Sequence, residues 1–542
     1  MDITDAIDKR LPYRVGYPIL PTLPVRHEKC NIERYVRDYS NLVRRVSAVL
    51  NDLRIPFHHM EGCLRFHEGD HIEQDVTFLV TARYDFNDKE CQTTWIEAVK
   101  RIHAYFLKSK ITFKIEIIDQ KLFFGRNLIK PIFSSEEKIL KATAEIMPQL
   151  VNEIKTYAWV TVDVVHCYSP LRGKKHPTII ISARDTSKPS WWSTALPSIR
   201  KMIADAQSDL DLVLLFLNGL SLLPLDSQRR QGLEYAPYHP GRLIGTSCGL
   251  LKSPHCGSVG GVIRLEKDGN RLVLGLTNCH VLLDDFVISQ NGNMGPYPPG
   301  PLLKDFVVIS PSDADRKTEI QSIKSWVKDR PLATNTLAKL WSEKAEQPSQ
   351  EIGTVFAASG YTTCNSASDR SAGQSDTTKT AKPPLDSNWP LDWCLFQLKS
   401  DSLSQLYTDI KTTWRRLEPH RSYKVCKTGR TTGTTAGHVS AVVSLLNHEG
   451  MYGNKPVTAH NVIYAHDSMY HLKYRGHFML SGDSGSLVLL DETEATPIVG
   501  LCFASNPATK AAYMIPMEQV VKSINEVTGG KVVDPEEDVS EL

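Results

Sequence analysis

Gly482-Asp483-Ser484-Gly485-Ser486 lies between the apolar runs Phe478-Met479-Leu480 and Leu487-Val488-Leu489-Leu490. A polar, glycine-bracketed turn therefore interrupts what reads as two strands. Such a turn presents a single hydroxyl. A serine alcohol becomes a useful nucleophile only when a neighbouring base takes its proton, and the oxyanion it then forms needs preorganised donors, most simply backbone N–H groups. The same five residues also serve as an ordinary Gly/Ser/Asp turn, so the rest of the chain has to decide between the two readings.

The chain has 542 residues, 41% of them hydrophobic, which allows several domains with separate cores. A formal net charge of +2, with the basic pairs Arg44-Arg45, Arg229-Arg230 and Arg415-Arg416 scattered along the chain, points away from a nucleic-acid surface. Met1 to Asp5 lacks the pattern of a signal peptide. The longest apolar stretch, Leu212 to Leu225, is broken by Asn218, Gly219, Ser221 and Pro224, so no membrane span is expected. Eleven cysteines at irregular spacings fit neither a zinc ribbon nor a disulfide framework and read as buried thiols of an intracellular protein.

After an arm over 1–30, helical spacing from Asn31 to Leu53 is followed by strands at Phe57 to Phe66 and Val76 to Ala82, a helix at Thr94 to Leu107 and a strand at Phe113 to Asp119. The same order recurs. A helix is expected at Ser135 to Ile154, strands at Trp159 to Val165 and Thr178 to Ala183, a helix after Trp192 and a strand at Leu212 to Leu217. Thr77 to Arg83 aligns with Thr178 to Arg184, and Trp95 with Ile102 matches Trp192 with Ile199. Residues 31–130 and 131–222 are thus expected to be two copies of one α+β unit. Neither copy carries a phosphate loop or a nucleophile with nearby partners, which fits a scaffold or a module that binds a protein partner.

Residues 223–245 read as a linker. Beyond it, Gly257 to Leu265, the turn Lys267-Asp268-Gly269-Asn270, and Arg271 to Leu276 form an expected β-hairpin that delivers Thr277-Asn278-Cys279-His280-Val281-Leu282. A polar insertion is expected over about 311–386. Asp392 then opens the compact strand candidate Trp393-Cys394-Leu395-Phe396-Gln397-Leu398. The glycines of Lys427-Thr428-Gly429-Arg430-Thr431-Thr432-Gly433 do not make a P-loop, because no Gly-Lys-Ser/Thr ends the run. Strands at Thr496 to Phe503 and Ala511 to Ile515, a helix at Met517 to Val527 and an acidic tail over 530–542 complete an all-β domain with one terminal helix. His460, His466, His471 and His477 have no usual ligand spacing, so neither a metal nor another cofactor is expected.

Histidine, aspartate and serine occur here in that order. No histidine follows Ser484, which argues against an α/β-hydrolase. On Asn278-Cys279-His280-Val281-Leu282, Asp392-Trp393-Cys394-Leu395-Phe396-Gln397-Leu398 and Gly482-Asp483-Ser484-Gly485-Ser486, residues 246–529 resemble a trypsin/chymotrypsin-like serine protease domain of the intracellular or bacterial type. The first 240 residues are outside the resemblance. It implies two six-stranded antiparallel barrels and a serine endopeptidase acting on protein or peptide substrates. His280 would be general base and acid, Asp392 its orienting carboxylate and Ser484 the nucleophile. The N–H groups of Gly482 and Ser484 would form the oxyanion hole, and Phe503-Ala504-Ser505 would pair with the substrate backbone. Phe478 stands where trypsin-like members place a specificity acid, which disfavours cleavage after Lys or Arg. Asp386 is the rival acid. Arg242-Leu243-Ile244-Gly245 resembles an activation site whose new amino terminus would pair with Asp483, although intracellular relatives do without such cleavage. A catalytically silent protease-fold scaffold is the alternative function.

Overall fold

The structure is a computed structural model. It describes residues 3–11, 13–21, 25–30, 32–66, 76–85, 88, 90–119, 129–168, 175–186, 188, 190–216, 244–290, 293–318, 320–321, 349–365, 388–399, 413–448, 451–465, 477–491 and 496–533. The chain divides into two compact units, 1–130 with 141–218, and 131–140 with 219–542. The linker expected at 223–245 lies outside the described residues except for Ile244 and Gly245.

In the first unit, β1 (Asp8–Leu11), β2 (Arg14–Tyr17), β3 (Arg26–Lys29), β4 (Phe57–Phe66), β5 (Val76–Ala82) and β6 (Lys114–Asp119) form one sheet in the order β1-β2-β6-β5-β4-β3. Helix α1 (Tyr39–Asp52) starts where the Asp38 side chain accepts from Asn41 N–H, and it buries Leu42, Val46 and Leu50 at a four-residue spacing. These side chains join Trp95, Val99, Ile102 and Phe106 of α2 (Cys91–Lys108) and Phe78 and Val80 of β5 in one core.

The second half of the unit contains β7 (Ile129–Lys130), β8 (Trp159–Tyr168), β9 (Lys175–Ala183) and β10 (Asp211–Phe216), with helix α3 (Glu137–Ile154) from Lys141 onward and helix α4 (Leu196–Asp205). β5 and β6 run parallel from Thr77↔Lys114 to Ala82↔Asp119, as β9 and β10 do from Thr178↔Asp211 to Ala183↔Phe216. β4 meets β5 with a bulge between Phe57 and His59, and β8 meets β9 with a bulge between Trp159 and Thr161. Of the two adjacent tryptophans, Trp191 is the fully buried one. Trp191–Ala195 is a π-helical turn that leads into α4. A π turn holds one residue more than an α turn, which makes room for the eight-residue step from Trp191 to Ile199 against seven from Trp95 to Ile102.

The second unit is almost all β. Its first sheet joins β11 (Ser247–Leu250), β12 (Gly257–Ser258), β13 (Gly261–Lys267), β14 (Asn270–Thr277), β15 (Val307–Ser310), β16 (Gln350–Ala358), β19 (Cys394–Leu398) and β27 (Lys531–Val533). Their order is β12-β11-β15-β16-β19-β14-β13-β27. β13 alternates buried and half-buried residues, the period-two pattern of a strand with one face on the core. A small ribbon pairs β17 (Thr362–Asn365) with β18 (Asn388–Leu391). The second sheet contains β20 (Tyr423–Gly429), β21 (Gly433–Val439), β22 (Ser444–Leu446), β23 (Val457–Tyr464), β24 (Leu487–Leu490), β25 (Ile498–Ser505) and β26 (Ala512–Pro516). It runs β23-β21-β20-β24-β25-β26 and closes as a barrel because β26 pairs back onto β23 at His460↔Met514.

Two sequence expectations change. The polar insertion over 311–386 contains β16 and β17, and β16 is an integral strand of the first sheet. The tail over 530–542 starts with β27, which pairs Val532 with Leu265, while 534–542 lie outside the described residues. Helix α5 (Cys279–Leu282), which follows β14, carries His280, and the terminal helix is α7 (Met517–Thr528), with α6 (Asp284–Ser289) between them in sequence.

Candidate active site

The register of β14 against β19 sets Thr277 opposite Cys394. The chains run antiparallel, so residues just after Thr277 lie alongside those just before Cys394, and His280 meets Asp392. The Nδ1 atom of His280 is 2.5 Å from Asp392 Oδ2, and the His280 backbone N–H donates to Oδ1 at 3.0 Å. Asn278 completes the clamp by donating from Nδ2 to the Asp392 carbonyl at 2.6 Å. Both side chains of the pair are buried, and His280 Nε2 has no hydrogen-bond partner among the described residues. With one nitrogen committed to a carboxylate, the other is available to exchange a proton.

The serine turn packs against the same strand end. Ser258 N–H donates to the Ser484 carbonyl at 2.8 Å, and the Ser258 hydroxyl donates to the Gly482 carbonyl at 3.1 Å. Thr277 Oγ1 donates to the Ser258 carbonyl at 2.8 Å. A Cβ at Gly260 would stand 2.1 Å from the Gly485 carbonyl oxygen, so only a glycine lets the two segments come this close. Among the described residues, neither Gly482 N–H nor Ser484 N–H has an acceptor. The turn therefore keeps these two donors beside the Ser484 hydroxyl, while the Ser486 hydroxyl donates to the Asp483 carbonyl.

Asp483 points the other way, into the barrel of the second sheet. Its carboxylate accepts from Thr431 N–H at 2.8 Å, Thr432 N–H at 3.1 Å, Thr432 Oγ1 at 2.8 Å and Leu480 N–H at 3.0 Å. Lys427 Nζ lies 3.1 Å from Asp483 Oδ2, and both side chains are fully buried. Burial alone would raise the Asp483 carboxyl, but the Lys427 ammonium and these donors outweigh it and hold the group below the usual carboxylate value. Lys427, on a strand of the same sheet, thus already occupies Asp483, the acid that a new amino terminus at Leu243 would need.

No known family model matches the chain, and no curated protein matches it. Solved chymotrypsin-like serine proteases align with about half of it. Thermobifida fusca protease A is 12% identical, over 54% of this chain and 98% of that one, with a TM-score of 0.24. Cellulomonas bogoriensis chymotrypsin is 11% identical, over 54% and 98%, with a TM-score of 0.24. A glutamic-acid-specific serine protease is 14% identical, over 54% and 100%, with a TM-score of 0.25. Likeness at this level carries nothing about the chemistry, which rests on the residues above.

The remaining expected site residues divide. Phe503, Ala504 and Ser505 sit in β25, and the pairing of β24 with β25 reaches Leu501 and stops short of them. Phe478 is fully buried in the core of the second sheet, with Lys427 Nζ 6.0 Å from its ring centroid. Asp386, His466 and His471 lie outside the described residues. His460 stacks on Trp389 with ring centroids 5.1 Å apart. Sequence reasoning missed Ser258, Asn278, Lys427 and Arg430 as supports of the site. Lys427 did leave a signal, as a charge on the inward side of the apolar strand Val425-Cys426-Lys427.

Proposed function

We propose that residues 246–529 form a serine endopeptidase of chymotrypsin-like, double-barrel fold. The observation that carries this reading is the buried His280–Asp392 pair, its Nε2 without a partner among the described residues, on the strand end against which the Ser484 turn packs. Ser484 Oγ attacks the scissile carbonyl carbon while its proton passes to His280 Nε2. Asp392 holds the Nδ1–H and stabilises the imidazolium. Gly482 N–H and Ser484 N–H donate to the oxyanion. As the C–N bond breaks, His280 returns the proton to the leaving amine. Water, deprotonated by the same histidine, then hydrolyses the acyl-enzyme. The edge of Phe503-Ala504-Ser505 opposite β26, which β24 leaves unpaired among the described residues, fits an added substrate strand.

Residues 31–130 and 131–222 are read as two copies of one α+β unit. The reading is supported by the matched parallel pairs and bulges, and by Arg83 N–H bonding Pro56 O at 2.8 Å as Arg184 N–H bonds Ala158 O at 2.9 Å. Trp191, rather than Trp192, is then the counterpart of Trp95. This module is assigned the recruitment of protein substrates or restraint of the protease. All eleven cysteines are free thiols, which fits a reducing, intracellular compartment. Among the described residues no helix is long and apolar enough to cross a membrane.

A fluorophosphonate probe tests the function. Wild type is expected to label and Ser484→Ala to stay unlabelled. A folded wild type that does not label favours the silent scaffold instead.

A further inference from the structure

The direction of a candidate oxyanion donor is set by the carbonyl on the other side of its own peptide bond, since the C=O and N–H of a trans peptide point in opposite directions. For Ser484 N–H that carbonyl belongs to Asp483, which accepts from Ser486 N–H at 3.1 Å and Ser486 Oγ at 2.6 Å. For Gly482 N–H it belongs to Ser481, which accepts from Thr431 Oγ1 at 2.9 Å. The Ser484 donor is thus held by the turn itself. The Gly482 donor is held from outside it.

Thr431 has a fixed polarity. Arg430 Nη1 donates to its hydroxyl oxygen at 3.2 Å, and a guanidinium cannot accept a hydrogen bond. The hydroxyl proton is therefore directed to the Ser481 carbonyl. Arg430 is itself buried and immobilised, with Nε and Nη2 forked onto both carboxylate oxygens of the buried Asp315. Its backbone N–H donates to Ser258 Oγ at 3.0 Å, the hydroxyl that binds the Gly482 carbonyl. Gly482 lies against this assembly at φ +90°, and a Cβ there would stand 1.8 Å from Arg430 Nη1 and 2.6 Å from Thr431 Oγ1. Asp315 belongs to the helical segment 313–318, between His280 and Asp392 in the chain.

We propose that Thr431 is a positioning residue that orients the Ser481–Gly482 peptide so that Gly482 N–H faces the oxyanion site, with the Asp315–Arg430 pair keeping its hydroxyl in the donating role. The proposal rests on the protease reading above. It links the 313–318 segment to the reacting carbonyl without any contact between them.

The test compares full-length Thr431→Val, which keeps the shape and loses the donor, with Thr431→Ser, which keeps the donor. Hydrolysis of p-nitrophenyl acetate and crystal structures are the two readouts. Loss of one oxyanion donor is expected to lower kcat of Thr431→Val by about 100-fold with little change in KM. Its crystal structure should show the Ser481–Gly482 peptide turned away from the wild-type orientation. Thr431→Ser should stay within about threefold of wild type and keep that orientation. Thr431→Ala replaces the valine variant if valine prevents folding. Wild-type kcat or an unturned peptide in the donor-free variant overturns the proposal, as does a Thr431→Ser protein as impaired as the valine one. A wild type that neither labels nor hydrolyses ester overturns the protease reading alone, because the peptide orientations still decide the role of Thr431.

Discussion

Lys427 and Asp483 form the most consequential pair at the scale of single residues. A lysine in a barrel interior is costly unless a counter-charge and acceptors surround its ammonium. Here Asp483, Thr432 Oγ1 and the Gly433 carbonyl do so. Lys427→Met leaves Asp483 as an uncompensated buried charge and is expected to destabilise the second unit by about 3–5 kcal/mol. A urea titration followed by tryptophan fluorescence reads this directly. A loss under about 1 kcal/mol would mean that the backbone donors of Thr431, Thr432 and Leu480 suffice for Asp483 without the ammonium.

Among the elements, β27 shows how much a three-residue strand can hold. It pairs with β13 from Glu266↔Lys531 to Arg264↔Val533, buries Val532, and has Val532 N–H bonded to Asn525 Oδ1 of α7 at 2.8 Å. Ending the chain at Gly530 removes a buried valine and these hydrogen bonds. The expected loss is about 2 kcal/mol, read as a lower urea midpoint. The candidate active-site turn should keep its labelling, since none of its hydrogen bonds reaches β27. From sequence, β27 is hidden in an acidic tail because its partner is more than 250 residues away. The hairpin of β13 and β14 is visible because its pairing is local, across Asp268 and Gly269.

At the scale of the molecule, protons act on the whole folding equilibrium. Burial lowers His460 from 6.5 to about 4. Between those values the unfolded chain holds a proton that the folded chain does not, so stability is complete above pH 6.5 and falls as the pH drops toward 4. Asp483 is also lowered, from 3.8, so its contribution is complete above the ordinary carboxylate range and is lost as pH falls below it. Both groups act in the same direction. The melting temperature is expected to fall steadily from pH 6.5 to 4, and His460→Gln should flatten that slope; an unchanged slope would remove His460 as the cause. Unit boundaries also emerge only at this scale. Residues 131–140 belong with the C-terminal unit, where Ile132 N–H donates to Ser440 Oγ at 3.2 Å and Ala441 N–H donates to the Ile132 carbonyl at 2.9 Å. The sequence places them instead at the start of the second α+β copy.

By itself the amino-acid sequence determined what depends on near neighbours and periodicity. It carried the amphipathic helices, the apolar strands at 76–82 and 178–183, the hairpin before His280, and the order of histidine, aspartate and serine. Only the tertiary structure decided what depends on distant segments meeting. The β14–β19 register brings His280 to Asp392 across 112 positions, and Ser258 reaches Gly482 across 224. It also turned Phe478 into a core residue and gave Asp483 a buried lysine. A hydrogen bond between segments so far apart leaves no local pattern, because its geometry is set by how the sheets close.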